Sequence, residues 1–205
     1  MMERTDGTPN SGIWLLADSN PVVWQNDLDV PLDRRFPTRH NIWTPIEKVI
    51  QSHLFRECKS RLDDKYYIRN AVEDPCVKFQ KDLLADEIAT FRGLVNKHQP
   101  LLVLCFGQFA FEFARRTQQE KHEHTYRYWN VDRLAEQFIK RTSTVRGDTV
   151  NVLPLLHASV ARGRFLLCHE KFSGGNRDYF QYVGEKLARV LVEHRTDPRL
   201  NCFWM

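Results

Sequence analysis

Three polar side chains in this sequence stand where apolar runs stop. His157 closes the run Val150–Leu156, Asn70 follows Lys65–Ile68, and Asn20 follows Ile13–Ala17. Imidazole and amide groups both donate and accept hydrogen bonds, which suits them to read the edge of a nucleobase. A fourth run, Leu101–Phe106, ends on Gly107, whose missing side chain allows close backbone approach at the start of the next helix. Read as parallel strands, the four runs bring these residues to one sheet edge, where open α/β sheets bind ligands. Plainer roles stay open. Asparagine also supports turns, and a strand-end histidine also serves as a satisfied structural residue. The three together point to a site.

Further basic and aromatic residues follow His157. The segment Val160-Ala161-Arg162-Gly163-Arg164-Phe165 is basic and aromatic. The same stretch also reads as a solvated loop. His122 and His124 flank Glu123, but no third ligand is near. That segment reads as a solvated helix end, and no metal site is expected.

The elements that must position these residues alternate. Ile46, Val49, Ile50 and Leu54 recur at helical spacing over Ile46–Phe55. Thr44 serves as the expected N-cap, Pro45 as the first helical residue, and Glu47 as the partner of a capping box. Phe79–Lys97 is amphipathic, with Leu83, Leu84, Ile88, Phe91, Leu94 and Val95 on one face. Further helices are expected over Gln108–Gln119, Val131–Arg141 and Arg177–Arg195. Strand–helix alternation implies an α/β fold: a single three-layer αβα domain around a central, mostly parallel four-stranded sheet. The expected organisation is a flexible leader over 1–12, the domain over 13–195, and a tail over 196–205 that docks through Phe203-Trp204-Met205.

Composition narrows the classes. At 205 residues with 42% hydrophobic content, the chain can bury one substantial core. No run approaches the roughly 18 apolar residues that span a bilayer, and Met1–Gly12 has no apolar core of a secretory signal. The five cysteines are odd in number and lack a C-x-x-C pair, which argues against a disulfide framework or zinc ribbon. A reducing, intracellular and cytoplasmic setting is expected. The net charge of +4 permits a phosphate-rich partner without demanding one. No G-x-S-x-G, P-loop or G-x-G-x-x-G follows any strand, so the chemistries those motifs carry have no support.

Five segments in order carry a family resemblance. They are Ser19-Asn20-Pro21, then Pro37-Thr38-Arg39-His40-Asn41-Ile42, then Tyr66-Tyr67-Ile68-Arg69-Asn70-Ala71-Val72. Gln99-Pro100 through Gly107 and Ala110 follows, and last comes His157-Ala158-Ser159 ahead of Arg162-Gly163-Arg164-Phe165. Over about residues 13–192, this series resembles the uracil-DNA glycosylase superfamily. Four departures accompany it. Ala17 or Asp18 stands where the first motif opens with glycine, and Asn20 where the best-known members carry a catalytic aspartate. Ala158 replaces the proline of the last motif, and the early cysteine pair of iron–sulfur members is missing.

The resemblance implies a monofunctional glycosylase of base-excision repair that needs no cofactor. It would hydrolyse the N-glycosidic bond of a flipped uracil, or a related damaged pyrimidine, in single- or double-stranded DNA. Asn70 would read the base edge, and Phe36 would stack on it or else pack in the core. Pro21, Gly107 and Ser159 would line the pocket. His157 would donate to the departing base, while Asn20 or Asp18 holds the attacking water. Arg162, Arg164 and Lys171 would meet phosphates, with Phe165 or Leu166 as the wedge. The partner implied is DNA, with no membrane and a monomeric protein. The alternative is a catalytically weak or inactive member of the same fold that binds nucleic acid or a nucleotide.

Overall fold

The computed structural model describes residues 5–19, 30–32, 37–63, 65–121, 125–157, 159–160, 165–175 and 178–204. Its strands are β1 (Thr5–Asp6), β2 (Ile13–Ala17), β3 (Tyr67–Asn70), β4 (Leu102–Phe106) and β5 (Asn151–Leu155). Its helices are α1 (Pro37–Cys58), α2 (Lys81–His98), α3 (Gln108–Thr117), α4 (Val131–Thr142), α5 (Leu166–Ser173) and α6 (Tyr179–Glu193).

The strand order is β1-β3-β2-β4-β5. From β3 to β5 the strands run parallel, with Leu15 opposite both Ile68 and Leu104, and Leu104 opposite Leu153. Each of these four strands is buried along almost its whole length, because helices cover both sheet faces. The sheet therefore has five strands rather than the expected four. The addition is β1, which pairs antiparallel with β3 and sets Asp6 opposite Ile68. Two polar residues carry no strand pattern, so only the free edge of β3 reveals them. The expected leader is thus partly built into the fold: Ser11 is buried, and Trp14 Nε1 donates to its carbonyl at 2.9 Å.

The connections explain the layers. α1 carries the chain outward from β2 to β3, and α2 brings it back past β2 to β4. α3 and α4 then carry it on to β5. The direction reverses at β2, so right-handed crossovers put α1 on one face and α2 with α3 on the other. α6 returns to pack along α1. Gly184 makes that approach possible: a Cβ there would sit 2.5 Å from Val49 Cβ and 3.0 Å from the Ile46 carbonyl oxygen.

Several boundaries differ from the sequence reading. α1 begins at Pro37, so Thr44 and Glu47 do not cap it and Pro45 lies inside it. The apolar face is the cause. Ile42 and Trp43 are fully buried and continue the line of Ile46, Ile50 and Leu54 one turn earlier. On α2, Ile88, Phe91 and Val95 are buried, but Leu83 is exposed. α5 had no counterpart in the sequence reading; its His169 and Phe172 are buried while Leu166 and Leu167 face outward. The tail is anchored. Phe203 is fully buried against Tyr66, its carbonyl accepts from Asp63 N at 2.7 Å, and Trp204 bridges to Leu62.

One buried charge network ties α3 to its neighbours. Glu112 Oε2 accepts from Arg115 Nη1 and Trp129 Nε1, each at 2.7 Å, and Oε1 accepts from Arg116 Nε at 2.9 Å. Arg115 also donates to Glu120, which Arg141 of α4 holds from the other side. Among the described residues, no helix is long and apolar enough to cross a membrane.

Candidate functional site

The topological switch point of this sheet lies between β2 and β4, from which the chain proceeds in opposite directions. Asp18 follows β2 there and Gly107 follows β4. His157 stands just past β5, the next strand over.

His157 rests directly on Gly107. A Cβ at position 107 would lie 2.8 Å from His157 Cβ and 3.2 Å from Cδ2. Gly107 holds φ +94° and ψ −179°, a region essentially limited to glycine. Its N–H donates to the Leu155 carbonyl at 2.8 Å, and its carbonyl accepts from Phe111 N at 3.1 Å. The glycine is needed for its backbone angles and for the space the histidine fills. Behind His157, the buried Tyr179 hydroxyl accepts from Leu156 N at 2.9 Å and fixes the strand end.

The imidazole is oriented by its own turn. Ser159 N donates to His157 Nδ1 at 3.1 Å, and Ser159 Oγ lies 2.9 Å from the same nitrogen. A backbone N–H can only donate, so Nδ1 is the acceptor and the neutral ring carries its proton on Nε2. Val160 N donates to the His157 carbonyl at 3.0 Å, and His169 Nε2 donates to the Val160 carbonyl at 3.2 Å. α5 therefore buttresses the turn that aims His157. Burial pushes the His157 pKa below its ordinary value; the Asp18 charge opposes this and the Lys78 charge adds to it.

Asp18 pairs with Lys78. Asp18 Oδ1 is cut off from solvent and forms an ion pair with the Lys78 ammonium group. Lys78 Nζ also lies 5.1 Å from the centroid of the Phe109 ring, in the first turn of α3. Lys78 was not singled out in the sequence. A signal existed: Asp74-Pro75 is a helix-start pair, and the Asp74 carboxylate accepts from Cys76 N at 2.8 Å to open the 3-10 helix Pro75–Phe79. One turn later that helix delivers Lys78 to the strand ends.

Asn70 is the last residue of β3, buried, and in register with Ala17. Arg69 turns toward α2, 3.8 Å from Glu87 and 5.3 Å from the Phe91 ring centroid. Strand alternation therefore directs Asn70 to the α1 face. Three strand spacings, roughly 14 Å, separate the lines of β3 and β5. Asn70 and His157 thus stand on opposite flanks of the switch point.

Gly107, His157 and Ser159 are in mutual contact past β4 and β5, and Asp18 pairs with Lys78 past β2, the neighbouring strand of β4. Phe165 caps α5 next to the exposed Leu166 and Leu167. Lys171 lies farther along α5, exposed, with Nζ 3.8 Å from Asp132 of α4. Asn20, Pro21, Phe36, Arg162 and Arg164 lie outside the described residues, as do His122, Glu123 and His124. Among the described residues, no group of three or more histidine, cysteine, aspartate or glutamate side chains could hold a metal ion.

Chemically, the cluster presents an Nε2–H donor, a desolvated carboxylate and an ammonium group at the foot of α3. Such a set can hold a water against one side of a reacting bond while donating to negative charge on the other. Compared with models of known protein families and with curated proteins, the chain matches none.

Proposed function

We propose that this protein is a DNA glycosylase, acting on a flipped uracil or a related damaged pyrimidine. The observation that carries the reading is His157, a half-buried imidazole at a parallel strand end with its proton directed to Nε2. In this mechanism the C1′–N bond breaks and the base leaves with the bonding electrons. His157 Nε2–H donates to the carbonyl oxygen where that charge collects. Water adds to C1′ of the oxocarbenium-like sugar, and Asp18 accepts the proton the water releases. Asn70, on the opposite flank, reads the base edge.

One observation favours a second reading. Asp18 is already paired with Lys78, so the carboxylate that would meet the water is engaged elsewhere. That suits a weakly catalytic or silent member of such a fold that binds nucleic acid or a nucleotide.

The test uses oligonucleotides carrying one uracil, single- and double-stranded, with abasic sites counted after alkaline cleavage. Excision by the parent is expected to fall roughly 100- to 1000-fold in His157→Ala, the loss typical of removing one preorganised donor. Excision by the parent no greater than by His157→Ala would sink the enzymatic reading. Salt-dependent binding without base release would select the second one.

A further inference from the structure

β1 adds only two half-buried polar residues to the sheet, and it also walls a cavity of about 180 Å³. On a scale where one water takes roughly 10–15 Å³, that is room for about a dozen waters and ample for a phosphate group. Arg39 and Tyr66 form its buried floor, and Gly7, Thr8 and Lys65 its exposed rim, with Asp6 between. Arg39 stands in the first turn of α1 and is only 3% exposed. A guanidinium keeps its charge when buried, so it calls for acceptors. Lys65 Nζ meets Asp63 at 2.7 Å, a single contact that leaves N–H groups for a ligand. One turn along α1, Trp43 sets its ring edge-on to Tyr66 at 5.1 Å. Its Nε1–H is buried and meets no acceptor among the described residues, which is rare for a buried donor. Gly7 holds φ +79°, and a Cβ there would collide with the Tyr66 carbonyl oxygen, so the rim turns off β3 only with glycine.

We propose that this cavity binds a phosphate group, with Arg39 as its inner cation and Lys65 as its outer one. A guanidinium offers a planar fork of N–H groups that matches two phosphate oxygens, and the Thr8 hydroxyl adds a donor at the rim. The first turn of α1 carries no acidic residue, so the positive end of the helix dipole favours the same charge. Asp6 is the one carboxylate among the described lining residues and opposes it. The group can arrive as free phosphate or as part of a nucleic-acid backbone. Tyr66 and Ile68 precede Asn70 at alternate positions, so the cavity shares the α1 face with Asn70. The site itself does not depend on the glycosylase reading: it lies at the β1 edge, the far side of the sheet from β5 and His157.

The experiment follows the N–H signals of the isotope-labelled full-length protein by NMR at constant ionic strength. Inorganic phosphate, thymidine 5′-monophosphate and a short single-stranded oligonucleotide are added in separate titrations. Phosphate is expected to shift the Gly7, Thr8 and Tyr66 amides and the Trp43 Nε1–H, half-saturating at about 1 mM or below. Arg39→Lys keeps the charge but loses the fork, and should weaken binding roughly tenfold or more. Lys65→Ala should weaken it about two- to fivefold, as for an exposed charge, and Asp6→Asn should strengthen it. Equal half-saturation by all three ligands marks a site for the free group. Tighter binding of the oligonucleotide, lost in Arg39→Lys, marks a site for backbone phosphate; either result supports the proposal. No shift of these signals up to about 10 mM phosphate, or binding that Arg39→Lys and Lys65→Ala leave unchanged, overturns it. Should Arg39→Lys not fold, Lys65→Ala and Lys65→Glu carry the same criterion, with the larger loss in Lys65→Glu. Phosphate bound here by a protein that never excises uracil defeats the glycosylase reading and leaves this site standing.

Discussion

Replacing Gly107 with alanine tests the packing of the site most directly. The substitution adds one methyl group at two kinds of cost. At φ +94° and ψ −179° a side chain is strained, by about 1–3 kcal/mol. The new Cβ also meets His157 Cβ at 2.8 Å, well inside ordinary contact, and overpacking of this kind costs about 1–3 kcal/mol more. Together they come to roughly 2–6 kcal/mol. With an unfolding entropy near 2.1 cal/mol/K per residue, the melting temperature of a chain this size falls by about 2.3 °C per kcal/mol. Gly107→Ala should therefore melt about 5–14 °C below the parent by calorimetry. If the ring instead slides away to relieve the clash, the melting loss shrinks toward the strain alone and the His157 NMR signals move. Gly93 supplies the contrast. It is exposed on α2 with nothing within 4 Å of an added Cβ, so Gly93→Ala should stabilise by about 0.5–1 kcal/mol through helix propensity. A Gly107→Ala protein that melts within about 1 °C of the parent, with His157 signals in place, would refute the reasoning.

Three other expectations follow from the same contacts. Glu112→Ala removes the buried carboxylate that Arg115, Arg116 and Trp129 share, leaves Arg115 with the Glu120 carboxylate alone, and should cost about 3–5 kcal/mol in denaturant unfolding. Tyr179→Phe strands the Leu156 N–H inside the protein, so a loss of about 1–3 kcal/mol is expected, with His157 signals displaced because the next residue is the ring itself. The His157 pKa lies below its ordinary value of 6.5 in the folded state, so the unfolded chain holds that proton more tightly. The stability this residue contributes is complete above about pH 6.5 and is lost as pH falls through the window below it. The slope of stability against pH over that window should flatten in His157→Gln, and the acid limb of excision should sit below 6.5.

Most of the sheet was legible because its strands are short apolar runs bounded by proline, glycine and asparagine. Ile13–Ala17 and Leu102–Phe106 match their predicted runs closely. What escaped the sequence was context. Thr5–Asp6 is a strand only because β3 has a free edge, and Pro45 reads as a helix start although Ile42 and Trp43 bury the turn before it. At the site, His157 and Gly107 announced themselves by position after strands, while Ser159 and Asp18 entered through the family resemblance. Lys78 did neither, because a single lysine in a polar segment looks solvated until Asp18 and Phe109 are seen beside it. The opposite flanks taken by Asn70 and His157 also depended on the strand order, which no local pattern encodes.

The crossing of the chain over β2 has a kinetic consequence. Asp18, Lys78, Gly107 and His157 belong to four successive excursions of the chain, and β4 lies on the far side of β2 from β3. Each parallel pairing joins segments distant in sequence, so loops must close before any contact rewards them, and such topologies fold slowly. The cluster is complete only once β5 has joined β4. Recovery of the His157 environment on refolding should therefore coincide with the last and slowest step, when β5 docks against β4 and the ring settles onto Gly107.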